Sequence, residues 1–126
     1  MKALPLTIEA PVIHGNHLGR QIGYPTANLD LSGQDPFPLT AGVYAVVAIF
    51  DGMSYLGMAN AGFRPTINGN SFSLEVHLFD FSGDLYGKRI SVTFLHHLRE
   101  EKKFDGIDAL VSQIRRDEDA ARKLLG

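Results

Sequence analysis

The chain has no cysteine, which excludes disulfides and thiolate metal sites and fits a reducing compartment. It has no excess of positive charge. Twelve Lys and Arg stand against fourteen Asp and Glu, a formal net charge of -2, so the electrostatic footprint of a nucleic-acid binder is missing. No apolar stretch approaches the ~20 residues that a membrane-spanning helix requires. The opening MKALPLTIEAP lacks the apolar run of a secretory signal and meets Pro5 and Pro11 early. These absences lead to the expectation of a cytoplasmic protein that partners neither nucleic acid nor membrane. What is present is ordinary globular material: 126 residues, 44% hydrophobic and 21% charged. That length suits one domain, over 1–126, with a single sizeable core.

Most of the chain reads as strands separated by turn residues. Ile8 to His14 is a predicted first strand, and Gly33 to Pro38 a loop with Pro36 and Pro38. Val43 to Phe50 is apolar, β-branched and aromatic. Asp51-Gly52 then predicts a hairpin turn into Tyr55 to Ala59. Phe63 to Asn70 holds Pro65 and an Asn-Gly-Asn turn. Phe72 to Phe81 alternates, with Phe72, Leu74, Val76 and Leu78 facing one way and Ser73, Glu75 and His77 the other. Ser82-Gly83-Asp84 turns the chain into a strand over Ile90 to Leu95. Several short strands at this spacing predict an antiparallel barrel or sandwich.

The period changes after Phe104. Ile107, Leu110, Val111 and Ile114 repeat at helical spacing. Asp105 is the expected N-cap, with Asp108 near the positive end of the helix dipole. Asp117 either caps a second short helix carrying Ala121, Leu124 and Leu125 or lies within one continuous helix.

The segment with most chemical content is Gly15 to Asn28, GNHLGRQIGYPTAN. Gly15, Gly19 and Gly23 recur every four residues and allow close backbone approach to a ligand. Pro25 fixes the backbone. Thr26 and Asn28, two apart, point the same way in an extended segment. A glycine-rich backbone beside neutral oxygen donors suits a phosphate chain carrying a hard cation. The segment lacks the Gly-Lys-Ser/Thr of a P-loop, and no His-Arg-Asp of a protein kinase follows. Arg20 serves phosphate or is a surface arginine. His77, His96 and His97 match no standard zinc spacing. The run Arg99, Glu100, Glu101, Lys102, Lys103 reads as a solvated loop. Phe104 touches a ligand or staples the helix that follows.

GRQIGYPTAN resembles the signature of riboflavin kinases, the flavokinase domain of bacterial bifunctional FAD synthetases. GVYAVV (Gly42 to Val47), GMANAGFRPT (Gly57 to Thr66), LEVHLFDF (Leu74 to Phe81), DLYG (Asp84 to Gly87) and LREEKKF (Leu98 to Phe104) resemble further family motifs in the same order. The resemblance implies a mainly β fold, a six-stranded antiparallel Greek-key barrel with a C-terminal α-helix. It implies transfer of the ATP γ-phosphoryl group to the 5'-hydroxyl of riboflavin, giving FMN and ADP, with Mg²⁺. It implies Glu75 as the catalytic base, and Gly15, Gly19, Arg20, Gly23, Tyr24, Pro25, Thr26 and Asn28 as the nucleotide cradle. Thr26 and Asn28 also become the metal-associated residues, and Arg99, Phe104 and Ile107 border the flavin. An adenylyltransferase domain that turns FMN into FAD is a usual companion in such proteins and is not found in this sequence. The alternatives are a non-catalytic flavin- or nucleotide-binding module of the same fold, and an interaction barrel of the translation-factor kind. Intact Thr26, Asn28 and Glu75 argue against the first, and the acidic balance against the second.

Overall fold

The computed structural model describes residues 4–13, 22–32, 39–66 and 69–126, and side chains within these except at 64–71. Its strands are β1 (Leu6–Ile13), β2 (Ala27–Leu29), β3 (Gly42–Phe50), β4 (Met53–Thr66), β5 (Gly69–Leu78) and β6 (Arg89–Arg99). One helix among the described residues, α1 (Ile107–Leu125), follows them. The strands close into a barrel in the order β1-β2-β5-β4-β3-β6, and every pairing is antiparallel. Strands β3, β4 and β5 form a meander and β6 returns beside β3. That spatial order is the Greek key expected from the sequence.

Local sequence explains much of this. Phe50 pairs with Met53 across a two-residue loop. Asp51 and Gly52 there have φ of 51° and 75°, the left-handed pair of a type I′ turn, which matches the twist of the flanking strands. In β5, Leu74, Val76 and Leu78 point into the barrel and are buried, whereas Glu75 and His77 stay partly open on the outer face. The interior is filled by such inward residues, above all Tyr44, Val46, Leu74, Val76, Ile90, Val92 and Phe94. Tyr44 and Phe94 meet edge-to-face at 5.5 Å, a favoured aromatic geometry.

The structure departs from expectation in four places. Strand β2 lies inside the predicted ligand loop, where three residues bridge β1 and β5. Strand β4 runs on through Pro65. The β3 pairing of β4 ends at Ala61, so Pro65 occupies an open edge where its missing N–H costs no ladder bond. Thr66 pairs with Gly69, and positions 67 and 68 lie outside the described residues. Strand β6 extends to Arg99, with register shifts between Val43 and Tyr44 and between Ala45 and Val46. Finally, Asp105 does not cap the helix. Gly106 is the N-cap, extended, with no side-chain hydrogen bond.

Helix α1 docks on the outside of the barrel. Ala121 is fully buried against Ala45, Met58 and Phe79, with Ile114 and Leu125 beside it. Short side chains at Ala45 and Ala121 let the helix and sheet approach closely. Asp117 secures the docking from mid-helix. It is only 5% exposed and accepts hydrogen bonds from Arg99 at the end of β6: Nε at 2.9 Å to Oδ1 and Nη2 at 2.8 Å to Oδ2. Gln113 Nε2 donates to the same carboxylate at 3.0 Å. Of the two alternatives left open for Asp117, the structure shows the continuous helix. Its side chain turns toward the sheet, where a two-pronged guanidinium satisfies the buried carboxylate.

Removing one partner of a buried pair leaves the other uncompensated, which costs about 3–5 kcal/mol. Asp117→Ala is therefore expected to lower unfolding stability by about 3 kcal/mol, the low end, because Arg99 can regain some water. Urea titration checks this. An unchanged midpoint would mean that apolar packing alone holds the helix.

Candidate active site

The site lies on the outer face of the barrel, where β2, β4 and β5 run side by side. Asn28 of β2 and Asn60 of β4 are both register partners of Glu75. Three polar residues thus form one cross-strand row, flanked on either side by rows that face inward. Thr26, two residues before Asn28, shares that face and donates from Oγ1 to Glu75 Oε1 at 3.3 Å. The extended geometry expected of Thr-Ala-Asn is what aligns the two oxygen-bearing side chains.

A cavity of about 570 Å³ opens over Glu75 and Asn60 of this row. The sheet supplies its floor, with Val43, Met58, Asn60 and Glu75. The helix supplies Leu110 and Ile114, and the segment after β6 supplies Arg99, Glu101 and Phe104. Arg99 reaches the wall already committed: its guanidinium is held by Asp117, and Nη1 donates to the Glu100 carbonyl at 3.0 Å. Phe104 lies with its ring 5.8 Å from the Arg99 guanidinium carbon. Phe104 thus lines the cavity wall. Ile107 is 49% exposed and is not among the lining residues of this cavity. Glu101 is exposed, as its charge run suggests. Its carboxylate rests against Gly62, where any side chain would collide with it.

A second, more open recess of about 560 Å³ lies on the other side of Tyr24 and His77, which line both spaces. His77 Nδ1 donates to the Pro25 carbonyl at 2.7 Å, fixing the Tyr24-Pro25-Thr26 segment to β5. The rings of Tyr24 and His77 meet edge-on at 5.3 Å. Burial pushes the Tyr24 phenol above its ordinary pKa, and the Glu118 carboxylate adds to this. Gly23 precedes that segment with φ of 89°, a conformation that favours glycine. In the recess, Arg122 bridges Glu118 at 2.8 Å and Asp80 at 3.2 Å. Its hydrogen bonds hold the Asp80 carboxyl below the usual range. The Arg122 guanidinium also stacks 4.5 Å from the Phe79 ring centroid, a cation–π contact.

Of the residues singled out from sequence, the structure brings Thr26, Glu75, Arg99 and Phe104 to the cavity, with Tyr24, Pro25 and Gly23 bordering the recess; Asn28 is a register partner of Glu75 but is not among the lining residues of either space. Gly15, Gly19 and Arg20 lie outside the described residues. Three residues at the site were given no site role in the sequence: Glu101 read as part of a solvated loop, Asp117 as a cap or mid-helix residue, and Asn60, in GMANAGFRPT, as part of either a second ligand-side turn or a hairpin loop. The Asn60 Oδ1 is shielded from solvent and has no hydrogen-bond partner. An unpaired buried polar atom costs about 1–3 kcal/mol. The histidines hold no zinc-like arrangement, and no group of three or more His, Cys, Asp or Glu assembles among the described residues. His97 instead packs edge-on against Tyr44 at 5.0 Å.

Comparison with known proteins agrees with this geometry. The riboflavin kinase family, Flavokinase, matches residues 2–125. A bifunctional riboflavin kinase/FMN adenylyltransferase of Pseudomonas fluorescens is 49% identical over 121 residues, 95% of this chain and 38% of that protein. The chain therefore spans well under half of that relative. The solved structure of a Streptococcus pneumoniae protein described as a macrolide-efflux protein superposes with a TM-score of 0.86 at 42% identity, over 94% of this chain and 38% of that one. A riboflavin kinase from Trypanosoma brucei superposes with a TM-score of 0.67 at 24% identity, over 94% of this chain and 78% of its own, and supports the fold. No helix among the described residues is long and apolar enough to cross a membrane. The barrel with its external helix, the row of Asn28, Glu75 and Asn60, and a family match across nearly all residues lead to one conclusion: this chain belongs to the riboflavin kinase family.

Proposed function

We propose that this chain transfers the γ-phosphoryl group of ATP to the 5'-hydroxyl of riboflavin, giving FMN and ADP. The observation that carries the reading is the position of Glu75, on the floor of a cavity with apolar walls and hydrogen-bonded to Thr26 of the phosphate-type loop. The cavity lies within the ~300–1,000 Å³ of ordinary small-molecule sites. Val43, Met58, Leu110, Ile114 and Phe104 offer flat apolar contact to an isoalloxazine ring. The open recess across Tyr24 and His77 suits the nucleotide, whose phosphates then run toward Thr26 and Asn28. The FMN formed is the substrate that the longer relatives' second activity names.

The donor set at the junction fits Mg²⁺. A hydroxyl, an amide oxygen and a carboxylate are hard oxygen ligands, and a cation that keeps several waters and rides on phosphate needs only one or two protein contacts. Thr26 and Asn28 would hold it, and when bound it offsets the negative charge of the phosphates. Glu75 accepts the hydrogen bond of the substrate hydroxyl and aims its oxygen at the phosphorus. Early proton removal is a small part of a loose phosphoryl transfer, so orientation is the larger contribution. The Thr26 hydroxyl limits which carboxylate oxygen is open for this task. The apolar walls exclude water, which would compete as acceptor.

Glu75→Gln keeps the side-chain shape and removes the charge. It is expected to lower kcat by about 10²–10⁴-fold while the melting temperature and MgADP affinity stay near wild type. Turnover close to wild type would leave Glu75 as a mere strand residue. Thr26→Ala is expected to weaken MgADP binding by roughly tenfold, the loss of one charge-assisted contact. Calorimetry on the folded variant checks this, and unchanged affinity would move the cation away from Thr26.

A further inference from the structure

We infer that Asn60 reads the substrate's polyol chain, hydrogen-bonding a ribityl hydroxyl next to the one held at Glu75, and so contributes to selection of riboflavin. The inference rests on the kinase reading and deepens it. Asn60 is the register partner of Glu75 on β4, on the outer face, in the wall of the same cavity. Its Oδ1 has no hydrogen-bond partner and is shielded from water. A stable interior satisfies such atoms, and an exception points to a partner supplied from outside.

The neighbours on the same face explain why the protein itself supplies none. Val43 pairs with Asn60 on one side, and Met58 lies two residues away along β4. Both are apolar. Glu75 carries only acceptors when ionised and cannot donate to the Asn60 oxygen. The amide oxygen therefore needs a donor, and the cavity is where one can enter. Rotation about the terminal torsion, which is broad for asparagine, turns the oxygen to the cavity face.

The chemistry of the ligand follows from the pairing. Directly opposite residues in an antiparallel pair have Cβ atoms ~4.5–5.5 Å apart, a span that neighbouring hydroxyls of an extended polyol can bridge. Each hydroxyl both donates and accepts, and the asparagine amide does both at one planar end. A carboxylate and an amide side by side therefore match two successive hydroxyls, where a simple alcohol would satisfy the carboxylate alone. An alcohol without the second hydroxyl leaves Asn60 unpaired in the complex, the basis of strong discrimination at polar sites.

The test is a cycle between protein and substrate. Asn60→Ala and Asn60→Ser are assayed with riboflavin and with analogues that each lack one inner ribityl hydroxyl. Asn60→Ala is expected to raise KM for riboflavin about tenfold, with KM for ATP unchanged and the melting temperature near wild type. Asn60→Ser keeps a hydroxyl and should lose less. One deoxy analogue should show the same loss with wild type and no further loss with Asn60→Ala. Unchanged KM for riboflavin, or losses that simply add for every analogue, would overturn the inference and leave the kinase reading intact. Should Asn60→Ala fail to fold, the same cycle with Asn60→Ser decides. Wild-type protein that neither binds nor phosphorylates riboflavin would overturn the kinase reading and this inference together.

Discussion

The buried pair between Arg99 and Asp117 is the constraint on which the site depends. A barrel filled with its own side chains has no room for a ligand inside, so a binding site must be built on its surface. Here the wall is a helix, and the helix is held by a charged anchor as well as by a small apolar patch around Ala45 and Ala121. Apolar contact is non-directional and would tolerate sliding or rotation. A two-pronged guanidinium–carboxylate contact fixes direction and register. The same arginine ends β6 and begins the segment that carries Glu101 and Phe104 to the cavity. One ion pair therefore sets two walls at once.

The sheet contributes a division of labour between its faces. Inward residues close a dry core, and outward residues on β2, β4 and β5 make a polar cross-strand row. The row is held on both sides by ladder bonds, so Glu75 and its neighbours sit on rigid backbone, unlike functional groups carried by loops. Rigid placement matters where orientation supplies most of the rate. The loop-borne part, Tyr24 to Thr26, is fastened by the His77 hydrogen bond to Pro25 and by the Thr26 contact to Glu75. Tyr24 and His77 separate an apolar cavity from a charged recess, so two chemically different ligands can meet at one carboxylate.

Charge near the site is arranged economically. Arg99 beside the cavity and Arg122 beside the recess are partnered by Asp117, Glu118 and Asp80, while Lys102, Lys103 and Arg115 also line these spaces. The fixed positions of Arg99 and Arg122 give the cavity and recess defined edges. Neutral donors at Thr26, Asn28 and Asn60 leave Glu75 the one carboxylate of the polar row.

Much of this was written locally in the sequence. Alternation in Phe72 to Phe81 settled which residues of β5 face in, since the pleat enforces a period of two. Asp51-Gly52 determined a two-residue turn, because few residues accept left-handed φ. Helical spacing after Ile107 was equally legible, as was the pairing of Thr26 with Asn28 on one side of an extended segment. The row of Asn28, Asn60 and Glu75 was not, since it joins positions far apart in the chain through strand register. Nor was the role of Asp117, which in the sequence is either a cap or a mid-helix residue and becomes an anchor only when β6 delivers Arg99 beneath it. Short-range sterics and periodicity act within a few residues and can be read from composition and spacing. Register, helix docking and the partners of a buried carboxylate are decided by contacts between distant segments, and those exist only once the barrel has closed.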